Sequence, residues 1–97
     1  MEIRKIRDTF QRAIHSMAVR PKSLQDRLID AGREGLCRMK IEDMPTEEMK
    51  HDFREVSKTL IRLMEDCSVV NDRDARETAN LIYSLYCEAQ GELETAE

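Results

Sequence analysis

Apolar positions along this chain fall mostly at steps of three and four, the spacing that lines side chains along one face of an α-helix. From residue 49 they read Met49, Phe53, Val56, Leu60, Leu63 and Cys67, and from residue 75 they read Ala75, Ala79, Ile82, Tyr86, Ala89 and Leu93. Each series steps by 4, 3, 4, 3 and 4, and each predicts an amphipathic helix. The start signals agree with the pattern. In "DMPTEE" Pro45 suits a first turn and Thr46 or Asp43 can cap; in "NDRDARE" Asn71 or Asp72 can cap, with Asp74 and Glu77 where the helix dipole favours negative charge. Gly91 is expected to stop the last helix, which makes residues 1–91 a single helical domain and residues 92–97 a frayed acidic tail. The short linker "CSVVN" predicts that these two helices form an antiparallel hairpin.

Two further helices precede the hairpin. The first, about residues 2 to 19, carries Ile3, Ile6, Phe10, Ala13, Ile14 and Met17 on one face, and Pro21 closes it. The second starts at a capping signal, Ser23 with Asp26, and places Leu24, Leu28, Ala31, Gly35 and Met39 on one face. Gly32 and Gly35 each weaken such a helix by about 1 kcal/mol relative to Ala. Either a neighbouring backbone approaches closely there, or the helix ends near Gly32. Composition supports the same class: 37% charged, 4% aromatic, no Trp, and only three Gly and two Pro in 97 residues. The expected fold is an all-α antiparallel bundle of about four helices.

That size excludes a deep cavity, since a domain this small buries only roughly 60 to 65% of the surface its unfolded chain exposes. No apolar run spans a bilayer, and "MEIRKIRDTF" lacks the apolar core of a signal peptide. A cytoplasmic protein without a membrane partner is expected. Cys37, Cys67 and Cys87 form no C-x-x-C pair and read as free thiols acting as small apolar side chains. Met17, Met39, Met44, Met49 and Met64 read as core, with an adaptable partner groove as the other use of flexible thioethers.

Catalytic chemistry is sparse. His15 and His51 sit in no metal or general-base spacing, the acidic run at residue 71 lacks the glycine and the distal Glu of a calcium loop, and no Gly-rich phosphate loop exists. No catalytic, cofactor or metal residue is assigned, and no enzymatic activity is expected. Charge is uneven: residues 1–40 hold ten Lys or Arg against five Asp or Glu, a net of +5, and residues 41–97 hold six against fifteen, a net of −9. Arg4, Lys5, Arg7, Arg12, Arg20, Lys22 and Arg27 concentrate in and after the first helix. The basic and acidic helices are expected to complement each other within the fold or across a dimer. The alternative is a nucleic-acid footprint on Arg4, Lys5 and Arg12, disfavoured by the overall charge of −4. Ile61 and Met64 beside the third stripe, and Leu81 and Leu85 beside the fourth, exceed what one small core needs. These four are the expected surface for a partner protein, including a second copy of the chain in a homodimer. On the fourth helix Ile82 and Tyr86 are expected to be buried, and Glu77 and Glu88 to face solvent.

Overall fold

The computed structural model describes residues 2–19 and 21–96. Arg20 of the basic cluster and Glu97 of the acidic tail lie outside the described residues. Four α-helices, α1 (Ile3–Val19), α2 (Leu24–Glu34), α3 (Glu47–Glu65) and α4 (Asp72–Ala96), pack on one another, and no strand occurs among the described residues. The all-α bundle is therefore what the periodicity predicts. Its long dimension, in extents of 41 × 25 × 21 Å, is set by α4, whose 25 residues at about 1.5 Å each cover most of that length.

The caps are those the chemistry favours. Ser23 accepts from the Asp26 backbone N–H at 3.2 Å, Thr46 from Met49 at 3.1 Å and Asn71 from Asp74 at 2.8 Å, each satisfying a first-turn donor that has no partner within the helix. Thr46, not Asp43, caps α3; Asp43 instead accepts from Lys40 in a 3-10 turn, Ile41–Asp43, within the connection before it. At the other end of α1, Arg27 reaches back from α2 and its Nη1 donates to the Met17 carbonyl at 2.6 Å.

Helix α1 packs chiefly against α4 and α2, and α3 against α4. α1 and α4 run antiparallel, since Arg7 near the start of one donates to Gln90 near the end of the other at 2.7 Å. α3 and α4 form the predicted antiparallel hairpin, with Thr46 and Met49 at the start of α3 beside Gly91 and Thr95 on α4. The core between them takes Ile6, Phe10, Ala13 and Met17 from α1, Leu28 and Ala31 from α2, Met49, Phe53, Val56, Leu60 and Leu63 from α3, and Ala75, Ile82, Leu85 and Ala89 from α4. Phe10 and Phe53 meet edge to face, with ring centroids 6.0 Å apart.

The structure corrects several boundaries. α2 runs through Gly32 but ends at Glu34, so Gly35 and Met39 do not extend its face; a 3-10 turn, Leu36–Arg38, follows and buries Leu36. The glycines are there for close approach, but by side chains rather than by a backbone. A Cβ at Gly32 would lie 3.0 Å from Met64 Cε and 3.3 Å from Cys37 Sγ, and one at Gly35 would lie 3.0 Å from Thr9 Cγ2 of α1. α3 stops at Glu65, because extended Asp66 accepts from both the backbone and the hydroxyl of Ser68. Cys67 therefore leaves the predicted stripe and is exposed. All three cysteines are free, as expected, but all are exposed rather than apolar filling. Gly91 does not stop α4, which continues to Ala96 with Leu93 buried.

The buried line on α4 also differs. It passes through Ala75, Thr78, Ile82, Leu85 and Ala89, whereas Ala79 and Tyr86 are only partly covered. Packed by α1 on one flank and α3 on the other, α4 buries a single seam turned by part of a residue step from the predicted one, with Ala79, Leu81 and Tyr86 half-covered at its edges.

Ile82 is fully enclosed, so Ile82→Ala is expected to destabilise the protein by about 2 to 5 kcal/mol, and half-covered Tyr86→Ala by less, in urea denaturation. Nothing lies within 4 Å of a Cβ added at Gly91 in the helix. Gly91→Ala should therefore raise stability by about 0.5 to 1 kcal/mol in the same assay.

Candidate interaction surfaces

Burying Met49, Phe53, Val56, Leu60 and Leu63 leaves a flank of α3 that carries Ile61, 58% exposed, and Met64, 41% exposed. The other internal methionines are buried, so Met64 is the exception to the core reading. Gly32 sets its position: the missing side chain on α2 lets the Met64 methyl lie against the helix, with its sulfur 4.0 Å from Cys37 Sγ. Beside Ile61 a shallow cleft of about 200 Å³ is lined by Leu36, Cys37, Met39, Ser57 and Leu60. Burial pushes the Cys37 thiol up from its ordinary value, which keeps it neutral at physiological pH and adds it to the apolar lining.

Leu85 does not belong to this surface. It is fully buried in the molecule's own core, because the enclosed seam of α4 is turned from the predicted one, taking in Thr78 and Leu85 in place of Ala79 and Tyr86. Leu81 is half-covered and packed on the core. It lies seven residues before Glu88 and so shares the α4 face that looks toward α3, away from the side on which Ile61 and Met64 meet α2. The fold thus pairs Ile61 with Met64 and separates both from Leu81 and Leu85.

A second surface runs along α1. Lys5, Asp8, Arg12, His15 and Val19 follow one another at steps of 3, 4, 3 and 4 on its outer side. They form one wall of two adjoining grooves of about 540 and 650 Å³ that share Asp8, Arg12 and Glu34. The opposite wall is the end of α2 and the turn beyond it, including Glu34, Arg38 and Met39. Of the predicted basic residues, Lys5 and Arg12 come together here, Arg4 does not line the grooves, and Arg38 takes its place. The 5-8-12-15-19 spacing was readable as a polar stripe, but Arg38 arrives through the fold with no local signal. Both carboxylates of the groove have partners in the protein: Asp8 accepts from Arg7 Nε at 2.7 Å and Glu34 accepts from the Ser16 hydroxyl. No ion pair to Lys5, Arg12 or Arg38 occurs among the described residues.

The third surface is acidic. Glu48 from α3 and Glu88 and Glu92 from α4 line a shallow cleft of about 320 Å³ at the seam of the hairpin. Glu88 is half-covered rather than turned to solvent. Partial burial, and then the negative charges of Glu48, Asp52 and Glu92, push its carboxyl above the ordinary carboxylate range. Among the described residues, no three His, Cys, Asp or Glu side chains converge as metal ligands would, and no helix is long and apolar enough to cross a membrane.

A carboxyl raised by folding favours the folded state when protonated, so this contribution is present below the unfolded value and is lost as pH rises through the folded one. Glu88→Gln is therefore expected to stabilise the protein at pH 7 by about 0.5 kcal/mol, the size of a like-charge pair on a helix surface. Thermal melts should show that gain shrinking as the pH falls below the carboxylate range. No family model, no curated protein and no solved structure matches the chain, which leaves the chemistry of its own surfaces as the guide to what it binds.

Proposed function

We propose that this is a small, non-enzymatic cytoplasmic protein that acts by binding other proteins through its helix faces, a second copy of itself included. The observation that carries this reading is the exposed pair Ile61 and Met64 beside the apolar cleft of Leu36, Cys37 and Met39. Large apolar side chains gathered at one place cost about 25 cal/mol of free energy per Å² left uncovered in water. The surface is also self-complementary. About a twofold axis, Ile61 of each copy can enter the cleft beside Cys37 of the other, an isologous contact that closes at two subunits. A patch of so few residues supplies only the apolar centre of an interface, since stable dimers bury about 800 Å² per subunit. The association is accordingly weak and concentration-dependent.

Sedimentation over a concentration series tests it. At about 1 M salt, where charges reach only about 3 Å, the parent should approach twice the 11.3 kDa monomer mass, and Ile61→Glu combined with Met64→Glu should hold it at the monomer mass. Because both side chains are exposed, the variant should melt within about 0.5 kcal/mol of the parent stability. A parent that stays monomeric at every concentration removes self-association from the reading.

A further inference from the structure

Five ion pairs among the described residues join partners from the same half of the chain. Arg7–Asp8 and Lys22–Asp30 lie within the basic half, and Lys50–Glu47, Lys58–Glu55 and Arg73–Glu77 within the acidic half. Across the two halves amides make hydrogen bonds: Gln90 accepts from Arg7, and Gln25 donates to the Val70 carbonyl and to Asp72. The halves, at +5 and −9, therefore carry their imbalance to the surface. On the basic side it collects in the α1 groove, where Lys5, Arg12 and Arg38 have no ion-pair partner among the described residues while Asp8 and Glu34 are engaged. On the acidic side it collects at the α3–α4 seam, where Glu48, Asp52, Glu88 and Glu92 repel one another.

The two surfaces face different ways. α1 meets α4 through Arg7, and its groove opens on the flank toward α2; α4 meets α1 through Gln90, and its acidic cleft opens on the flank toward α3. One molecule cannot close these surfaces on each other, but two can. We propose that a second copy of this chain seats its α3–α4 carboxylates in the α1 groove of the first, joining copies head to tail. Lys5 and Arg12, two helical turns apart, present their charges at a spacing of about 10 Å. Glu48 with Asp52 and Glu88 with Glu92 each present two carboxylates one turn, or about 6 Å, apart, so the four can straddle the groove's cations. A phosphate backbone fits the groove less well, because its unbroken run of negative charge must pass Asp8 and Glu34. A head-to-tail contact leaves one groove and one cleft free at the ends of each assembly, so copies keep adding until the rotation closes a ring. This goes beyond the apolar Ile61–Met64 contact and uses none of its residues.

Sedimentation velocity in an Ile61→Glu, Met64→Glu background, which removes the apolar contact, isolates this one. At about 10 mM salt, where charges are felt over about 30 Å, the mass should exceed twice 11.3 kDa and grow with concentration; at about 1 M, where they reach about 3 Å, it should return to the monomer. Lys5→Glu with Arg12→Glu, or Glu48→Lys with Glu92→Lys, all at exposed positions, should each hold the protein at the monomer mass with an unchanged circular dichroism spectrum. Mixed in equal amounts, the two variants bring together an intact cleft with an intact groove and a basic cleft with an acidic groove, and should associate again at low salt although neither does so alone. A monomer at low salt, or association that survives either double reversal, overturns the proposal. So does a mixed-sequence RNA or DNA oligomer that binds the monomeric parent and is lost with Lys5→Glu and Arg12→Glu, which would assign the groove to phosphates. None of these outcomes bears on the Ile61–Met64 contact, which the background removes and which high salt does not weaken.

Discussion

The contact between Phe10 and Phe53 is the constraint around which the rest of the bundle is arranged. These are the two phenylalanines of a chain without tryptophan, and both are enclosed, one from α1 and one from α3. α1 makes its main helix contacts with α2 and α4, so the edge-to-face pair is what ties α1 to α3 through the middle of the core. Such a pair contributes about 0.5 to 1.5 kcal/mol beyond the area it buries. Around the two largest core side chains the core is filled by aliphatic residues such as Ile6, Leu28, Ile82 and Leu85, by the alanines Ala13, Ala31, Ala75 and Ala89, and by buried Met17, Met39, Met44 and Met49.

Close packing also produces the apolar surface. α2 is short, 11 residues against 19 for α3, and it approaches α3 at Gly32, where Met64 and Leu60 occupy the place of a side chain. Met64 can therefore rest against α2 without entering the core, and Ile61, one helical step further round, is left to solvent. The patch is thus a by-product of close helix packing at a glycine. That origin explains why it combines an α3 flank with Cys37 from the turn after α2.

Topology explains the electrical asymmetry. Short connections make consecutive helices neighbours in space, so a chain whose first 40 residues are basic and whose remainder is acidic becomes a molecule with a basic α1–α2 side and an acidic α3–α4 side. A longer crossover would have interleaved them. Ion pairs between near neighbours in sequence, as at Arg73 and Glu77, do not offset one half against the other, and the polarity of the chain remains as a polarity of the surface.

The spacing of apolar residues determined the helices, and the capping residues determined where α2, α3 and α4 begin, because both depend on chemistry within a few residues of backbone. Ser23, Thr46 and Asn71 satisfy donors three residues away, and no distant contact is needed to specify them. Helix ends were less secure. Gly91 carries the residue type of a stop signal, yet its backbone stays helical and reads as one more position of α4. Tertiary structure alone decided which flank of a helix is enclosed. One residue step turns the face by about 100°, so whether Leu85 or Tyr86 is buried depends on where α1 and α3 press against α4. It also decided the sites. Lys5 and Arg12 could be placed together by their spacing, but Glu34 and Arg38 reach the same groove, and Cys37 reaches Met64, only because chain segments more than 20 residues apart are brought side by side by burial of the core.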